Sequence, residues 1–355
     1  MRDFDAAALV NTQRVLEAFQ KHRLSDAHFA PSTGYGYNDP GREVLDAIFA
    51  DVMGTEDAIV RASFASGTHT IACALKAVCP GGGYWSMTGD PYDTLQRLMP
   101  YCTERPETIN AVFIQRSRGY TDRKALSVAG VNALIAQARQ YTDAPVVVDN
   151  CYCEFVETEE PSQADLIAGS LIKNPGGGLA PSGGYIAGRR ELVEKAALQL
   201  NAVGRDAGAN PIGNRLLFQG LLMAPHTVAQ ALKTAVFAAE KLQTLGYAVD
   251  PLPDEARYDI IQSIRFGAPE PLLRFCRGIQ RGSPVDSFAA PEPWDMPGYE
   301  HQVVMAAGTF IQGASIELSC DAPMRPPYTA YLQGGLTFEL GKLGILKAIE
   351  TLCES

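Results

Sequence analysis

Between residues 56 and 190 the chain alternates short apolar runs with stretches of helical periodicity. This alternation predicts a mostly parallel sheet with helices on its faces, because neighbouring parallel strands must be joined by a crossover. We expect strands at residues 58–61, 111–114, 145–148, 166–168 and 184–187. Ligands bind beyond the carboxyl ends of such strands, so the residues just after each run are the first candidates for a functional site.

The rest of the chain predicts a leading helix and a second, smaller unit. Apolar periodicity over residues 5–22 predicts a helix, and Pro40 begins another. A long helical stretch over 212–246 is interpreted as the bridge to the smaller unit. In that unit we expect strands at 259–266, 303–310 and 314–320, helices at 270–280 and 335–352, and a surface loop at 284–297.

The predicted fold class is therefore α/β, with a mostly parallel sheet in a large domain and a smaller α+β domain at the C-terminal end. A length of 355 residues suits two domains. We expect an N-terminal helical arm over residues 1–34, a large domain over 35–225 and a small domain over 226–355.

Composition argues against several classes of partner. The formal net charge is −10 and no run of Lys or Arg stands out, which argues against nucleic acid. No apolar run reaches membrane-spanning length and the N-terminus lacks a signal core, so we expect a cytoplasmic protein without a membrane partner. The eight cysteines show no CxxC pair or zinc spacing, which predicts buried free thiols and no metal site.

Three polar features follow predicted strands. The run VVVDN reaches Asp149, and a buried aspartate is costly unless a cation meets it. The run LIAGS ends at Ser170, with Lys173 just beyond. Ser66-Gly67-Thr68 opens an apolar helix, where hydroxyls and free N–H groups can hold an anion. Each feature alone also has an ordinary explanation: a turn former, a solvated loop lysine and a helix cap.

Together these features predict a site for pyridoxal 5′-phosphate. This cofactor needs a lysine for its Schiff base, an acid facing its pyridinium nitrogen and a cup for its phosphate. We assign Lys173 and Asp149 to the first two roles, and the helix that begins at Ser66, with the Ser170 hydroxyl, to the third. The glycines after Lys173 would let the backbone pass close to the ring and let the lysine swing, or they merely form a loop.

Further side chains are needed for the cofactor ring and for a substrate. Tyr92, in PYDTL, is our candidate for stacking on the ring, and His69 is its rival. A substrate carboxylate favours an arginine fork. Arg325 is the first candidate for that contact, and Arg116 or Arg118 is the second. Each arginine has the alternative explanation of a structural salt bridge.

Several motifs taken together resemble the methionine gamma-lyase / aluminium resistance protein family, in the Cys/Met-metabolism group of fold-type I pyridoxal-phosphate enzymes. The resemblance covers nearly the whole chain, although the segment 93–114 is shorter than in relatives, which leaves one strand–helix unit missing or compressed. The motifs are VVVDNCYCEFVE, AGSLIKNPGGGLAPSGGYIAG, STGYGYNDPGR, SGTHTI, PYDTL, PEPWDMPGYE, GASIELSCDAPMRPPY and YLQGGLT.

The resemblance implies an aspartate-aminotransferase-like fold and a homodimer, often paired into a homotetramer. It implies the same roles for Lys173 and Asp149, places Asn150 in the cofactor motif, and assigns the phosphate to Ser66, Gly67, Thr68 and Ser170. It also implies that a neighbouring subunit supplies a tyrosine and an arginine to the phosphate. The candidates for these two phosphate contacts lie in the loop Tyr35-Gly36-Tyr37 and at Arg42. Alternatively, Arg42 is only a charged residue on the surface of a helix.

The reaction implied by the resemblance is elimination of a thiol from a methionine-, cysteine- or cystathionine-type amino acid, followed by hydrolysis to a keto acid and ammonia. We expect Lys173 to remove the Cα proton, with its pKa lowered by the site. Tyr92 would supply a proton to the leaving sulfur. Alternatives within this chemistry are an aldolase, an aminotransferase or a catalytically silent relative that binds the cofactor.

Two other classes of site fail on their partner motifs. Ser170-x-x-Lys173 is also the nucleophile motif of penicillin-binding and β-lactamase enzymes, which require Ser-Asp-Asn and Lys-Thr-Gly. This chain has Ser25-Asp26-Ala27 and Lys233-Thr234-Ala235, both different at the third place. A Walker-type phosphate loop is excluded because Gly-Lys-Ser/Thr is absent from the sequence.

Overall fold

The fold is built around a seven-stranded sheet followed along the chain by a five-stranded sheet. The computed structural model describes residues 4–34, 37–205 and 208–354. Within this part of the chain, no helix is long and apolar enough to cross a membrane.

The large sheet has the strand order β1-β7-β6-β5-β4-β2-β3. All its pairings are parallel except those of β7, which runs antiparallel to both β6 and β1. The carboxyl ends of the parallel neighbours β4, β5 and β6 therefore lie side by side at the same end of the sheet. Its strands are β1 Asp57–Arg61, β2 Tyr84–Ser86, β3 Tyr101–Cys102, β4 Val112–Gln115, β5 Val146–Asp149, β6 Leu166–Ser170 and β7 Gly184–Gly188.

Seven helices accompany this sheet within the described residues. The second begins at Pro40 because Asp39 caps it, accepting the Arg42 N–H at 3.0 Å, and it ends at Gly54 in the left-handed conformation. The helices are α1 Phe4–Lys21, α2 Pro40–Met53, α3 Gly67–Val78, α4 Asp93–Gln96, α5 Val128–Ala138, α6 Arg190–Leu200 and α7 Arg215–Thr244.

Strand alternation divides the apolar side chains of the large sheet between two cores. Val146 and Val148 of β5 pack into the core that also contains residues of α1, α2, α5 and α7. Val147, between them, packs with residues of α3 and α6 on the opposite face. Both faces are buried, which explains why the run lacks polar residues until Asp149.

The small sheet is antiparallel throughout, with the order β10-β11-β12-β9-β8. Its own core lies against α8, α9 and the end of α7, with Phe275, Leu332 and Ile345 among the buried side chains. Its strands and helices are β8 Ala248–Asp250, β9 Gln262–Arg265, β10 Val303–Ala306, β11 Ser319–Pro323, β12 Thr329–Gln333, α8 Pro269–Arg281 and α9 Phe338–Cys353.

The sequence expectations are confirmed for the α/β class and for all five predicted strands of the large sheet, within about two residues at their ends. Strands β2, β3, β8 and β12 were not expected, and β11 begins only where the predicted run 314–320 ends. The division at residues 225 and 226 would fall inside α7, at Pro225. The domain limits 1–34, 35–225 and 226–355 stay a proposal.

The short segment 93–114 retains both a helix and a strand. Helix α4 is a single turn, and β3 is a two-residue strand that pairs in parallel with β2 at the margin of the sheet. The expected strand–helix unit is therefore compressed rather than missing.

The glycine run after Lys173 serves helix packing. A short 3-10 turn over Asn174–Gly176 is followed by Gly177 at φ 55°, a left-handed conformation that favours glycine. A side chain on Gly177 would overlap the Gly220 carbonyl of α7, and one on Gly220 would overlap the Gly176 carbonyl. Gly176, Gly177 and Gly178 do not line the cavity described below, and the expected close approach of their backbone to a cofactor ring stays a prediction.

We predict that Gly220→Ala destabilises the protein although alanine is the better helix former. Overpacking against Gly176 should cost about 1–3 kcal/mol, more than the gain of ~1 kcal/mol in helix propensity. The matched control is Gly130→Ala in α5, where the nearest atom is the Ser127 hydroxyl at 3.3 Å. Thermal unfolding should show a lower Tm for Gly220→Ala and an unchanged or higher Tm for the control. A Tm for Gly220→Ala at or above the wild-type value would contradict this packing.

Candidate active site

A cavity of about 300 Å³ lies beyond the carboxyl ends of the central strands. Gln115 closes β4 and Asp149 closes β5, while Lys173 follows β6. The cavity brings together six of the residues predicted from the sequence: Gly67, Thr68, Tyr92, Asp149, Lys173 and Arg325.

One wall is the N-terminus of α3. The Ser66 hydroxyl accepts the His69 N–H at 3.1 Å, so Ser66 is the helix cap, and it does not line the cavity. Gly67 and Thr68 do line it. Because the first N–H groups of a helix have no carbonyl partner within the helix, this wall can bind an anion.

The Ser170 hydroxyl lies behind this wall. It is buried and has no hydrogen-bond partner among the described residues. A side chain at Gly67 would come within 3.3 Å of the Ser170 Cβ and 3.7 Å of the Lys173 Nζ, so the absence of one keeps this space open. An unpartnered buried hydroxyl beside an open space and a helix N-terminus is a donor set that suits a phosphate group.

Asp149 and Lys173 are the opposite charges at the base of the cavity. Burial raises the pKa of Asp149, and the Lys173 charge acts in the other direction, as does a hydrogen bond of 3.0 Å from the Cys151 N–H. Burial lowers the pKa of Lys173, but the acid groups of Cys151, Tyr152 and Asp149 outweigh it and hold the pKa well above its ordinary value. This direction is opposite to the lowered pKa expected from the sequence, and the lowered pKa of Lys173 during the reaction stays a prediction.

Tyr92 lines the cavity, whereas His69 does not. The Tyr92 hydroxyl is buried, and burial raises its pKa well above the ordinary value, while the neighbouring Thr68 hydroxyl acts in the other direction. His69 lies on the far side of the α3 terminus, where its Nδ1 accepts the Ala65 N–H at 3.1 Å and its ring packs edge-on against Phe64. Of the two candidates for the cofactor ring, only Tyr92 lines the cavity, and its contact with the ring stays a prediction.

The three candidate arginines have different surroundings. Arg325 lines the cavity, donates from Nη2 to the Tyr120 carbonyl at 3.2 Å and has no ion pair among the described residues. Arg116 is fully buried, 2.5 Å from Glu157 and 3.4 Å from Glu160. Arg118 pairs with Asp250 at 2.6 Å. The structural salt bridge is therefore the explanation for Arg116 and Arg118, and neither reaches the cavity.

Asn150 also lies away from the cavity. Its side chain accepts from Arg116 at 2.8 Å and donates to Glu160 at 3.0 Å and to the Tyr185 hydroxyl at 3.2 Å. Neighbouring residues in extended backbone face opposite sides, so when Asp149 enters the site Asn150 cannot. The structure thus corrects its placement as a direct cofactor contact and makes it part of the support beneath the site.

The candidate contacts for a neighbouring subunit are only partly described. Tyr35 and Gly36 lie outside the described residues, while Tyr37 is 57% exposed. Arg42 is buried, donates to the Gly208 carbonyl at 2.8 Å and lies in a second cavity that His69 also lines. It is therefore not a helix-surface charge, and its action on a partner's phosphate stays a prediction.

The cavity also contains residues that the sequence reasoning did not select. Cys151 and Tyr152 follow Asp149 directly, so the rule of inspecting residues after a strand, extended by three positions, would have found them. The rings of Tyr120 and Tyr299 contact each other in a tilted arrangement with their centroids 5.9 Å apart, and Asp93 begins α4. No sequence signal brings together Tyr120 and Tyr299, which come from distant parts of the chain.

A buried acid, Glu154, lies below the site. The Tyr185 hydroxyl donates to its Oε1 at 2.9 Å, while Oε2 has no partner among the described residues. Its main-chain carbonyl accepts from Asn174, the neighbour of Lys173, at 2.9 Å. Burial raises the pKa of Glu154 to about 8.

Comparisons with known proteins agree with this geometry. The methionine gamma-lyase family model matches residues 1–106 and 101–353, two pieces that meet inside the shortened segment. A Bacillus subtilis relative named "Uncharacterized protein YnbB" is 43% identical over 97% of this chain and 91% of its own length.

Solved structures of similar proteins superpose closely. One from Listeria monocytogenes, whose name provisionally assigns a cystathionine beta-lyase involved in aluminum resistance, has a TM-score of 0.94 at 42% identity, covering 98% of this chain and 95% of its own. One from Clostridium novyi NT, named a carbon-sulfur lyase involved in aluminum resistance, has a TM-score of 0.91 at 44% identity, covering 98% and 90%.

A more distant structure defines the fold. Yeast cystathionine gamma-lyase, 18% identical, superposes with a TM-score of 0.63 over 95% of this chain and 98% of its own. The fold is that of the fold-type I, aspartate-aminotransferase-like enzymes. Within that fold, the chain belongs to the methionine gamma-lyase family.

We predict that Glu154→Gln changes the pH dependence of stability. Because the folded pKa of Glu154, about 8, exceeds its ordinary value of 4.5, its contribution to stability is full at low pH and declines as pH rises through this interval. The Tm of Glu154→Gln relative to wild type should therefore increase between pH 5 and pH 8. Glu350→Gln, at a side chain 61% exposed, is the control. A relative Tm for Glu154→Gln that does not change with pH would contradict the raised pKa.

Proposed function

We propose that this protein is a pyridoxal 5′-phosphate-dependent carbon–sulfur lyase that acts on a sulfur-containing amino acid of the methionine, cysteine or cystathionine type. The observation that carries the proposal is the convergence of Lys173, Asp149, Tyr92, Arg325 and the α3 N-terminus on one cavity. These are the side chains that the cofactor and an amino-acid carboxylate require, and they come from five separate parts of the chain.

The cavity fits the cofactor on chemical grounds. Lys173 would bind it covalently, and Asp149 would face its ring nitrogen, whose positive charge offsets the burial of the carboxylate. Gly67, Thr68 and the unpartnered Ser170 hydroxyl would hold the phosphate. Tyr92 would cover one face of the ring. When bound, the cofactor supplies an electron sink that stabilises negative charge at the substrate Cα.

The protein's own groups would then bind the substrate and move its protons. Arg325 would hold the substrate carboxylate in a bidentate contact, which fixes the orientation of Cα. The Lys173 amine would take the Cα proton once it is neutral. The Tyr92 hydroxyl, kept protonated by its raised pKa, would donate a proton to the departing sulfur. Elimination would release the thiol, and hydrolysis of the remaining unsaturated amine by water would give a keto acid and ammonia.

The names of relatives support the carbon–sulfur bond as the one that breaks. The Clostridium novyi protein is named a carbon-sulfur lyase, and the Listeria monocytogenes protein carries a provisional cystathionine beta-lyase name. A homodimer or homotetramer, with Tyr37 and Arg42 contributing to a partner's site, belongs to this proposal as well. The family match and these names do not distinguish β- from γ-elimination.

The proposal predicts an absorbance band near ~420 nm in the purified protein supplied with pyridoxal phosphate. Lys173→Ala should abolish the band because the covalent link is lost, and Lys76→Ala, at an exposed position on α3, should retain it. L-Methionine, L-cysteine and L-cystathionine are then added in turn, with thiol and keto acid measured.

The products separate the alternatives. Thiol together with keto acid supports the lyase. Keto acid without thiol indicates an aminotransferase. An aldolase needs a β-hydroxy amino acid, so L-threonine is added as well, and release of an aldehyde from it indicates an aldolase. A band without turnover on any of these amino acids indicates a silent relative. If wild-type protein shows no band after the cofactor is supplied, the central assignment fails.

We predict that Arg325→Gln raises KM for the preferred amino acid about 10–100-fold while leaving the absorbance band intact. The affinity for the substrate falls because its carboxylate then lacks the guanidinium group that would bind it. Arg325→Lys should recover only part of the affinity, since one ammonium cannot make the paired contact. A KM unchanged in Arg325→Gln would mean that another group binds the carboxylate.

A further inference from the structure

The Lys173 amine rests on an aromatic ring. Its Nζ lies 3.9 Å from the centroid of the Tyr152 ring, and within the described residues it has no hydrogen bond or ion pair. A cation within about 6 Å of a ring face is attracted by the ring's quadrupole, most strongly where water is excluded. The ring is therefore the closest favourable contact that the structure gives this ammonium.

The Tyr152 ring is held from both ends. Its backbone has φ 71°, a left-handed conformation that is rare for tyrosine and needs support from its surroundings. The Ile260 N–H donates to the Tyr152 carbonyl at 3.2 Å, and the Tyr152 hydroxyl lies 3.4 Å from the Ser315 hydroxyl. Ile260 precedes β9 and Ser315 precedes β11, so segments leading into the small sheet fix the ring.

A lysine needs such a support because its side chain has four rotatable bonds. In the proposed reaction, Lys173 would be a free amine while substrate is bound and would have to stay within reach of the substrate Cα. An amine free to rotate toward solvent would lose that position, and the entropy cost of returning would add to the barrier. A ring beneath the amine lowers this cost without a hydrogen bond that would have to break.

We propose that Tyr152 is a positioning residue, whose ring holds the Lys173 ammonium inside the cavity whenever the lysine is not covalently engaged. The contact itself does not require the cofactor, whereas its catalytic use rests on the proposed function. When Lys173 takes the Cα proton, the N–H bond forms as the C–H bond breaks, and the new ammonium again meets the ring face.

Other charged or titratable groups also act on Lys173, so the ring's share must be isolated. Asp149, Cys151 and Tyr92 are beside it in the cavity, and the charge of Lys173 is also felt by Glu154 and Asp321. Substitution of Tyr152 leaves all five in place. Tyr152 carries an acid hydroxyl as well as a ring, so a change in the non-aromatic variants reports the ring only when Tyr152→Phe, which removes the hydroxyl alone, does not show it.

The test is competitive acetylation of the full-length chain, freed of bound cofactor by hydroxylamine and dialysis, with acetic anhydride from pH 7 to 11. Acetylation of Lys173 is followed by mass spectrometry, and the exposed Lys76 and Lys124 are internal references. The variants are Tyr152→Leu, Tyr152→Met and Tyr152→Phe, with Ser315→Ala to release the hydroxyl. Circular dichroism verifies that each variant is folded. Two non-aromatic variants are used so that the test can still be made if one of them does not fold.

Loss of the ring should lower the pKa of Lys173 by about 1 in Tyr152→Leu and Tyr152→Met, which increases its acetylation about tenfold at pH values below the midpoint. Tyr152→Phe should stay within about twofold of wild type because the ring remains. An unchanged Lys173 midpoint in the folded non-aromatic variants would overturn the proposal. An equal shift in Tyr152→Phe would also overturn it, because the hydroxyl rather than the ring would then be responsible.

This assay separates the two proposals. It needs no cofactor, so it gives an answer even if the protein fails to bind pyridoxal phosphate. In that case the contact between Tyr152 and Lys173 would stand, and the carbon–sulfur lyase assignment would fall.

Discussion

The placement of a half-buried lysine near a buried aspartate, at the carboxyl ends of parallel strands, is the constraint on which the rest of the structure depends. Neither charge is stable alone in a closed interior, and each compensates part of the other's desolvation. Their meeting requires β5 and β6 to be parallel neighbours, so that Asp149 and the segment leading to Lys173 reach the same edge. The chain segment that connects β5 to β6 makes the two strands parallel. The apolar cores on the two faces of the sheet hold them in that alignment.

The parts of the site that sequence could predict are those determined by local pattern. Asp149 ends an apolar run, Gly67 begins a helix, and Lys173 follows a short strand, so one rule about strand ends found all three. Of the two ring candidates, Tyr92 lines the cavity and His69 does not, because the third residue of α3 is turned toward the helix cap, and the stacking role of Tyr92 stays a prediction. Arg325 was found through its motif, without any local indication of its direction.

The remaining assignments depended on side-chain direction, which a sequence does not state. Gln115 and Arg116 are neighbours at the end of β4, yet Gln115 lines the cavity and Arg116 is buried among carboxylates. The same alternation separates Asp149 from Asn150. Tyr152 escaped notice because its position depends on a left-handed backbone and on two distant supports. The short strands β2, β3 and β8 carry too few residues to show an alternating pattern.

The compressed segment after α4 has a consequence for how the sheet meets other chains. The margin of the large sheet on that side is β3, and its pairing with β2 involves only Tyr101 and Cys102. An exposed sheet margin is a template on which another extended chain can add, and its hazard grows with its length. By reducing this margin to two residues, the shortened segment removes most of the backbone groups that a foreign strand would need, and so protects a large, apolar sheet from growing by edge-to-edge association.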